Sequence, residues 1–178
     1  AFELSEELRS VVVVRSVTRM SHASGTIEFG PIKDLGRKAD LKVDGRLLDP
    51  ERGPIFAPAF MHGSLQQKLK KAAAIYEDSP FNTYSGPENP ELLIITCSIC
   101  NLYCREAINI LGIEDRVGLL KLGTTWPLPA KLLKKHLSRV DRVLFVEEVL
   151  PFMEENIKVL AAELAPEIGV KTFYGKNA

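Results

Sequence analysis

The 178 residues carry 23 Lys and Arg against 23 Asp and Glu, with 46% apolar side chains, enough chain to bury one good core or one core plus an attached segment. Zero net charge gives no electrostatic case for nucleic acid or an anionic membrane surface as a partner. The longest apolar runs, residues 11–14 and 92–96, are far too short to span a bilayer.

The chain opens on Ala1-Phe-Glu-Leu-Ser-Glu-Glu7, acidic and amphipathic, with no basic or apolar leader region. It starts in mid-pattern, as though the true beginning lay upstream. Leu4 and Leu8 are one helical turn apart, so residues 3–9 are expected to form a helix. Residues 11–17 are rich in β-branched side chains and predict a strand, which a polar run over residues 18–25 should end.

Residues 30–63 are rich in Gly, Pro and charge, and Asp44-Gly45 signals a turn. They predict a long connector with a short pairing between residues 41–43 and 46–48. Ser64 is suited to cap a helix whose Leu65, Leu69, Ala72 and Tyr76 follow at helical spacing, and Ser79-Pro80 should stop it.

From Glu91 onward strands and helices alternate. Residues 92–97 predict a buried strand, residues 101–111 a helix with Gly112 as its left-handed cap, and residues 117–122 a second strand. A Gly-Thr-Thr-Trp-Pro-Leu-Pro loop leads to a helix near Pro129, and residues 142–146 form a third strand. Pro151 opens a helix with Met153, Ile157, Leu160 and Leu164 on one stripe, and residues 170–174 are the fourth strand. This alternation predicts an α/β fold: a three-layer parallel sheet with a mixed edge, joined by right-handed crossovers.

Cys97, Cys100 and Cys104 have the spacing C-x2-C-x3-C. A zinc or cluster site asks for four ligands, or three and a purposeful vacancy. With Cys97 ending a buried strand and Cys104 on an apolar helix face, packing is the favoured reading. Clustered and odd in number, the three cysteines disfavour a secreted disulfide framework and favour a cytoplasmic protein. His22, His62 and His136 lie in separate segments without zinc spacing, and His136, on a Lys-rich helix, is expected to be solvated.

Thr18, Arg19, Ser21 and His22 come directly after a predicted strand. They read equally as groups that meet an anionic substrate and as a polar loop capping the next element. Glu147 and Glu148 come after the third strand; as neighbours they face opposite ways and are not a paired catalytic set. No G-x-G-x-x-G and no G-x-x-x-x-G-K-[ST] occurs, and the Gly-Asp-Gly of the usual thiamine-diphosphate motif is absent.

Several stretches taken together resemble one family. Val14-Arg-Ser-Val-Thr-Arg-Met-Ser-His22, Asp49-Pro-Glu-Arg52, Leu65-Gln-Gln-Lys-Leu69 and Ser79-Pro-Phe-Asn82 are similar to the large subunit of indolepyruvate:ferredoxin oxidoreductases. So are Leu120-Lys-Leu-Gly-Thr-Thr-Trp-Pro-Leu-Pro129 and Val140-Asp-Arg-Val-Leu-Phe-Val-Glu-Glu148. The last two also resemble the C-terminal domain of transketolase-like enzymes.

The resemblance implies a piece of a four-part subunit: residues 1–36 ending a pyrimidine-binding domain, 37–89 a connector with one helix, and 90–178 a transketolase-C-like α/β domain. It implies Thr18, Arg19, Ser21 and His22 as substrate-proximal candidates. Thr124, Thr125, Trp126, Glu147 and Glu148 are domain-interface candidates on the same ground. Thiamine diphosphate, magnesium and 4Fe–4S clusters would belong to the parent enzyme and not to this chain alone; its partners would be the other domains, a small subunit and ferredoxin. The sequence departs from the family at Arg15-Ser16-Val17, where a more apolar, Thr-containing strand is usual, and at Cys97-Ser98-Ile99, where Ser-Gly-Val is common. Serine in place of glycine predicts a shifted strand-to-helix turn. Two alternatives remain at this point: a segment of another 2-oxoacid:ferredoxin oxidoreductase, and a stand-alone α/β binding or thiol-redox module.

Overall fold

A computed structural model describes residues 1–32, 34, 36 and 58–177. They divide into two compact units, Ala1–Lys68 and Leu69–Ala178.

The first unit opens with α1 (Phe2–Leu8), close to the expected helix. It ends in a left-handed Arg9 (φ 44°), and the Ser5 hydroxyl donates to the Ser10 carbonyl at 2.8 Å. The strand expected over residues 11–17 does not form. A strand is held by hydrogen bonds to a neighbour, and no ladder includes these residues; Val11 and Val13 are 88% and 83% exposed. Where the polar run was to end that strand, a one-turn helix appears, α2 (Thr18–Ser21).

The next helix, α3 (Pro58–Glu77), starts six residues before Ser64, so Ser64 sits inside it and caps nothing. Proline is at home at a helix start because its missing N–H is one that the first turn leaves unpaired anyway. The pairing expected between residues 41–43 and 46–48 lies outside the described residues.

The second unit is a five-stranded sheet. Its strands are β1 (Thr83–Ser85), β2 (Leu92–Thr96), β3 (Val117–Lys121), β4 (Arg142–Val146) and β5 (Thr172–Tyr174). The spatial order is β1-β3-β2-β4-β5; β1 is antiparallel to β3 and every other pairing is parallel. Three helices make the crossovers: α4 (Cys100–Leu111), α5 (Ala130–Leu137) and α6 (Phe152–Ile168).

The continuous apolar strands follow from burial on both faces. On one face Leu93, Ile95, Leu120, Val143 and Phe145 pack with Leu133 and Leu137 of α5 and Met153 and Ile157 of α6. On the other, Ile94, Val117 and Leu119 pack with Cys104 and Ile108 of α4. Two helices therefore cover one side and one covers the other, which is the three-layer arrangement expected.

Helix ends follow the sequence. Gly112 takes φ 61° at the end of α4, and its N–H reaches the Asn109 carbonyl. Pro151 immediately precedes α6.

The fully buried Leu120 lies in β3, at the centre of the larger core. Leu120→Ala should lower unfolding free energy by about 3 kcal/mol, through lost burial and the cavity left behind. Urea titration followed by circular dichroism measures it.

Candidate functional site at the carboxyl edge of the sheet

Successive crossovers leave β2 and β4 toward opposite faces: β2 feeds α4, and β4 feeds α6. The crevice between their carboxyl ends is the topological switch point, where open α/β sheets place ligands and contacts. Thr96, at the end of β2, closes it. The Thr96 hydroxyl donates to the Val146 carbonyl at 2.8 Å, while its own carbonyl accepts the Leu122 N–H at 2.8 Å.

The loop after β3 is held by a residue far from it in sequence. The Asn82 Oδ1 accepts the N–H groups of Gly123 (2.9 Å) and Thr124 (3.1 Å). Its Nδ2 donates to the Tyr76 carbonyl (2.9 Å) and the Thr124 hydroxyl (2.8 Å). Gly123 is needed because a Cβ there would come within 2.6 Å of Phe81. Thr125 is half-buried; Trp126 is 54% exposed and meets Phe152 edge-on, ring centres 6.2 Å apart. The loop ends at α5, whose first turn is capped from outside. Glu77 accepts the Lys131 N–H (3.0 Å) and the Leu132 N–H (2.8 Å) through its two carboxylate oxygens.

The loop after β4 holds both glutamates. Glu147 is buried, and its oxygens accept the N–H groups of Met153 and Glu154, each at 2.9 Å. Pro151, the residue before α6, offers no side-chain cap, so Glu147 supplies it with a full negative charge at the positive end of the helix dipole. Glu148 is half-buried beside the Cys100 thiol, whose pKa is raised, first by burial and then by that carboxylate. Val149 adopts φ 61°, a left-handed angle rare for a β-branched residue.

The fully buried Glu154 seats the turn after β5. It accepts the N–H groups of Lys176 (2.8 Å) and Asn177 (3.0 Å) and an ammonium hydrogen bond from Lys158 (2.6 Å). A Cβ on Gly175 would lie 2.6 Å from its carboxyl carbon. Burial pushes the Glu154 pKa up, but these hydrogen bonds outweigh it and hold the group below its ordinary value.

Thr18, Arg19 and Ser21 lie on α2 and His22 just after it, all exposed and in the first unit. The Ser21 hydroxyl donates to the Val17 carbonyl at 3.3 Å, a local turn contact. Cys104 is buried among the α4 contacts, and burial raises its pKa. The three thiols form no disulfide, and among the described residues no group of three His, Cys, Asp or Glu side chains could hold a metal ion. Cys100 is buried too, and Cys97 packs against the larger core.

Ser98, at the strand-to-helix turn, adopts φ 53°, a left-handed angle that favours glycine and is strained for serine. One expectation is corrected. His136 is not solvated. It is buried against Tyr84, ring centres 4.4 Å apart, and burial with Lys135 and Arg139 nearby lowers its pKa to about 4. The lysines of α5 misled because they occupy its other side.

Sequence reasoning also missed Glu77, Asn82 and Glu154, whose partners lie 54, 41 and 22 residues away. An Asn just after Ser-Pro, or a Glu in a helix, gives no local sign of such a partner. At the opposite, amino edge an open depression is lined by Asn89, Glu91, Arg139 and Asp141. Of its lining residues, Glu91 pairs with Arg116 at 2.8 Å and Arg139 with Glu88 at 3.3 Å.

The strand order and the switch point define the second unit as a doubly wound open α/β domain with an antiparallel edge strand. No protein-family model matches the chain. In sequence it is a relative of the IorA subunit of indolepyruvate oxidoreductase. It is 37% identical to the subunit of Pyrococcus abyssi over 90% of this chain and 25% of that protein. To that of Thermococcus kodakarensis it is 37% identical over 99% of the chain and 27% of the protein, and to that of Archaeoglobus fulgidus 31% over 98% and 26%. The chain thus spans about a quarter of the length of these relatives. A solved 2-oxoglutarate:ferredoxin oxidoreductase from Magnetococcus marinus is similar at TM-score 0.49 and 18% identity, over 69% of this chain and 21% of that one. Among the described residues no helix is long and apolar enough to cross a membrane.

Acid should destabilise the protein in two stages. His136, with its folded pKa near 4 against 6.5 when unfolded, imposes a penalty absent above pH 6.5 that grows as pH falls toward 4, up to roughly 3 kcal/mol. Glu154 is depressed from 4.5, so its contribution is present above that pH and is lost below it. In thermal melts, His136→Phe should flatten the first stage and leave the second. A second expectation concerns Asn82→Ala, which orphans two N–H groups and should cost about 2–3 kcal/mol in chemical denaturation.

Proposed function

We propose that this chain is a scaffold segment of the large subunit of a thiamine-diphosphate-dependent indolepyruvate:ferredoxin oxidoreductase, shaping a cleft whose reactive groups lie elsewhere in the subunit. The observation that carries this reading is identity of 31–37% to IorA subunits along nearly the whole chain. In that reading residues 1–36 end a pyrimidine-binding domain, 37–89 connect, and 90–178 form the transketolase-C-like domain. The exposed Val11, Val13 and Val14 support it, since a β-branched run without a ladder suits a strand completed by other chain.

The parent enzyme would convert aryl-pyruvates to acyl-coenzyme A with loss of carbon dioxide and reduction of ferredoxin, in the cytoplasm, together with a small subunit. Thiamine diphosphate supplies the electron sink for decarboxylation and iron–sulfur clusters carry the electrons. The residues of this chain do not fit either group. There is no Gly-Asp-Gly to hold a diphosphate and its magnesium, and the cysteines Cys100 and Cys104 are spent on packing. What these residues do is positional. Thr124, Thr125, Trp126, Glu147 and Glu148 form the carboxyl edge that another domain meets, while Thr18, Arg19, Ser21 and His22 stand near substrate.

Isothermal calorimetry of this chain with thiamine diphosphate and magnesium should give no binding heat. The full-length subunit with its small partner should reduce a viologen dye with indolepyruvate and coenzyme A. Stoichiometric cofactor binding by this chain, or keto-acid turnover without the rest, would overturn the assignment; preference for pyruvate or a branched-chain acid would move it to another 2-oxoacid oxidoreductase.

A further inference from the structure

The sheet of the second unit is covered unequally, and α4 is apolar on two sides. With about 100° between successive residues, Cys100, Cys104 and Ile108 form the stripe buried on the sheet. Tyr103, Ala107 and Ile110 form a second stripe beside it. Tyr103 is 59% exposed and Ile110 73%.

The right-handed crossover from β2 to β3 turns this second stripe toward β4 rather than β1. Cys100, at the head of the helix, accordingly feels the charges of Glu148 and Lys176, which come after β4 and β5. The strands continue the surface. Leu144 and Val146 of β4 are half-buried on the α4 side, and Leu144 is in register with Tyr174 of β5, 44% exposed on that same side.

Composition indicates what covers this face. The twelve residues of α4 include one cation and one carboxylate, the neighbours Arg105 and Glu106. By contrast α5 has Lys131, Lys134 and Lys135 in eight residues, and α6 has four glutamates and a lysine in seventeen. An aromatic and aliphatic surface poor in charge marks a permanent contact rather than a transient one. The relatives are about four times as long as this chain. A partner in the same polypeptide is present at high effective concentration, ahead of any second copy.

We infer that the flank of α4 with the exposed faces of β4 and β5 is a docking surface for an apolar, folded part of the parent subunit that lies outside this chain. The inference rests on the assignment to a longer subunit. Hydroxyl-radical footprinting of the full-length subunit beside this 178-residue chain tests it. Tyr103, Ile110 and Tyr174 should be labelled about fivefold less in the longer protein, as side chains in an interface core are. Val159, on the outer side of α6 and 62% exposed, should label equally in both.

Ile110→Asp should restore labelling of Tyr103 and Tyr174 in the full-length subunit, yet leave the urea midpoint of this chain unchanged. Equal labelling of the face in both proteins would overturn the inference. So would protection in this chain alone that grows with its concentration, which assigns the face to a second copy. The viologen assay reports separately on the catalytic assignment: protection without activity would remove that assignment and leave the docking surface standing.

Discussion

The N–H groups at the head of α6 have no partner within their own helix, and the carboxyl edge of the sheet is organised around satisfying them. Glu147 does so from the end of β4, which ties the strand, the loop and the helix into one piece. Glu154, the third residue of α6, repeats the device in the other direction and holds the turn after β5. Each carboxylate is buried, and each is worth having there because backbone donors replace the water it gave up. Without them the charges would be expensive and the loops unanchored.

The same logic places Asn82 and Glu77 on the other flank. Both sit at or just past the end of α3, and both satisfy backbone groups of the β3–α5 connection. The crevice is therefore walled by loops with little freedom: Thr96 staples β2 to β4, Ser98 and Val149 are held at left-handed angles, and Trp126 leans on Phe152. Two apolar regions face outward, the Trp126 edge and the α4 flank.

Much of this architecture was legible. The apolar runs that became β2, β3 and β4, the Gly112 cap and the Pro151 start all depend on neighbouring residues, which a sequence displays directly. β1 escaped notice because three residues with one aromatic among them show no period. α3 began early because the signal at Ser64 was weaker than that of Pro58. The strand over residues 11–17 failed for want of a partner, something no local pattern records. His136 was misjudged because the lysines around it occupy the solvated side of α5 while the ring turns inward to Tyr84. Of the candidate site, the two loops at strand ends and Glu147 were legible; Glu77, Asn82 and Glu154, which fix the other connections, have partners in distant segments and gave no local sign.

Asn82 has a further implication. Its amide gives two hydrogen bonds and takes three, with groups on three different residues. Aspartate has the shape but cannot donate, leucine has the volume but neither polar function, and glutamine overshoots by a methylene. A saturation screen of this protein would therefore record intolerance at Asn82 as sharp as that of a residue in the reaction. The cause would be purely architectural, and survival of the fold rather than turnover would be what the screen had measured.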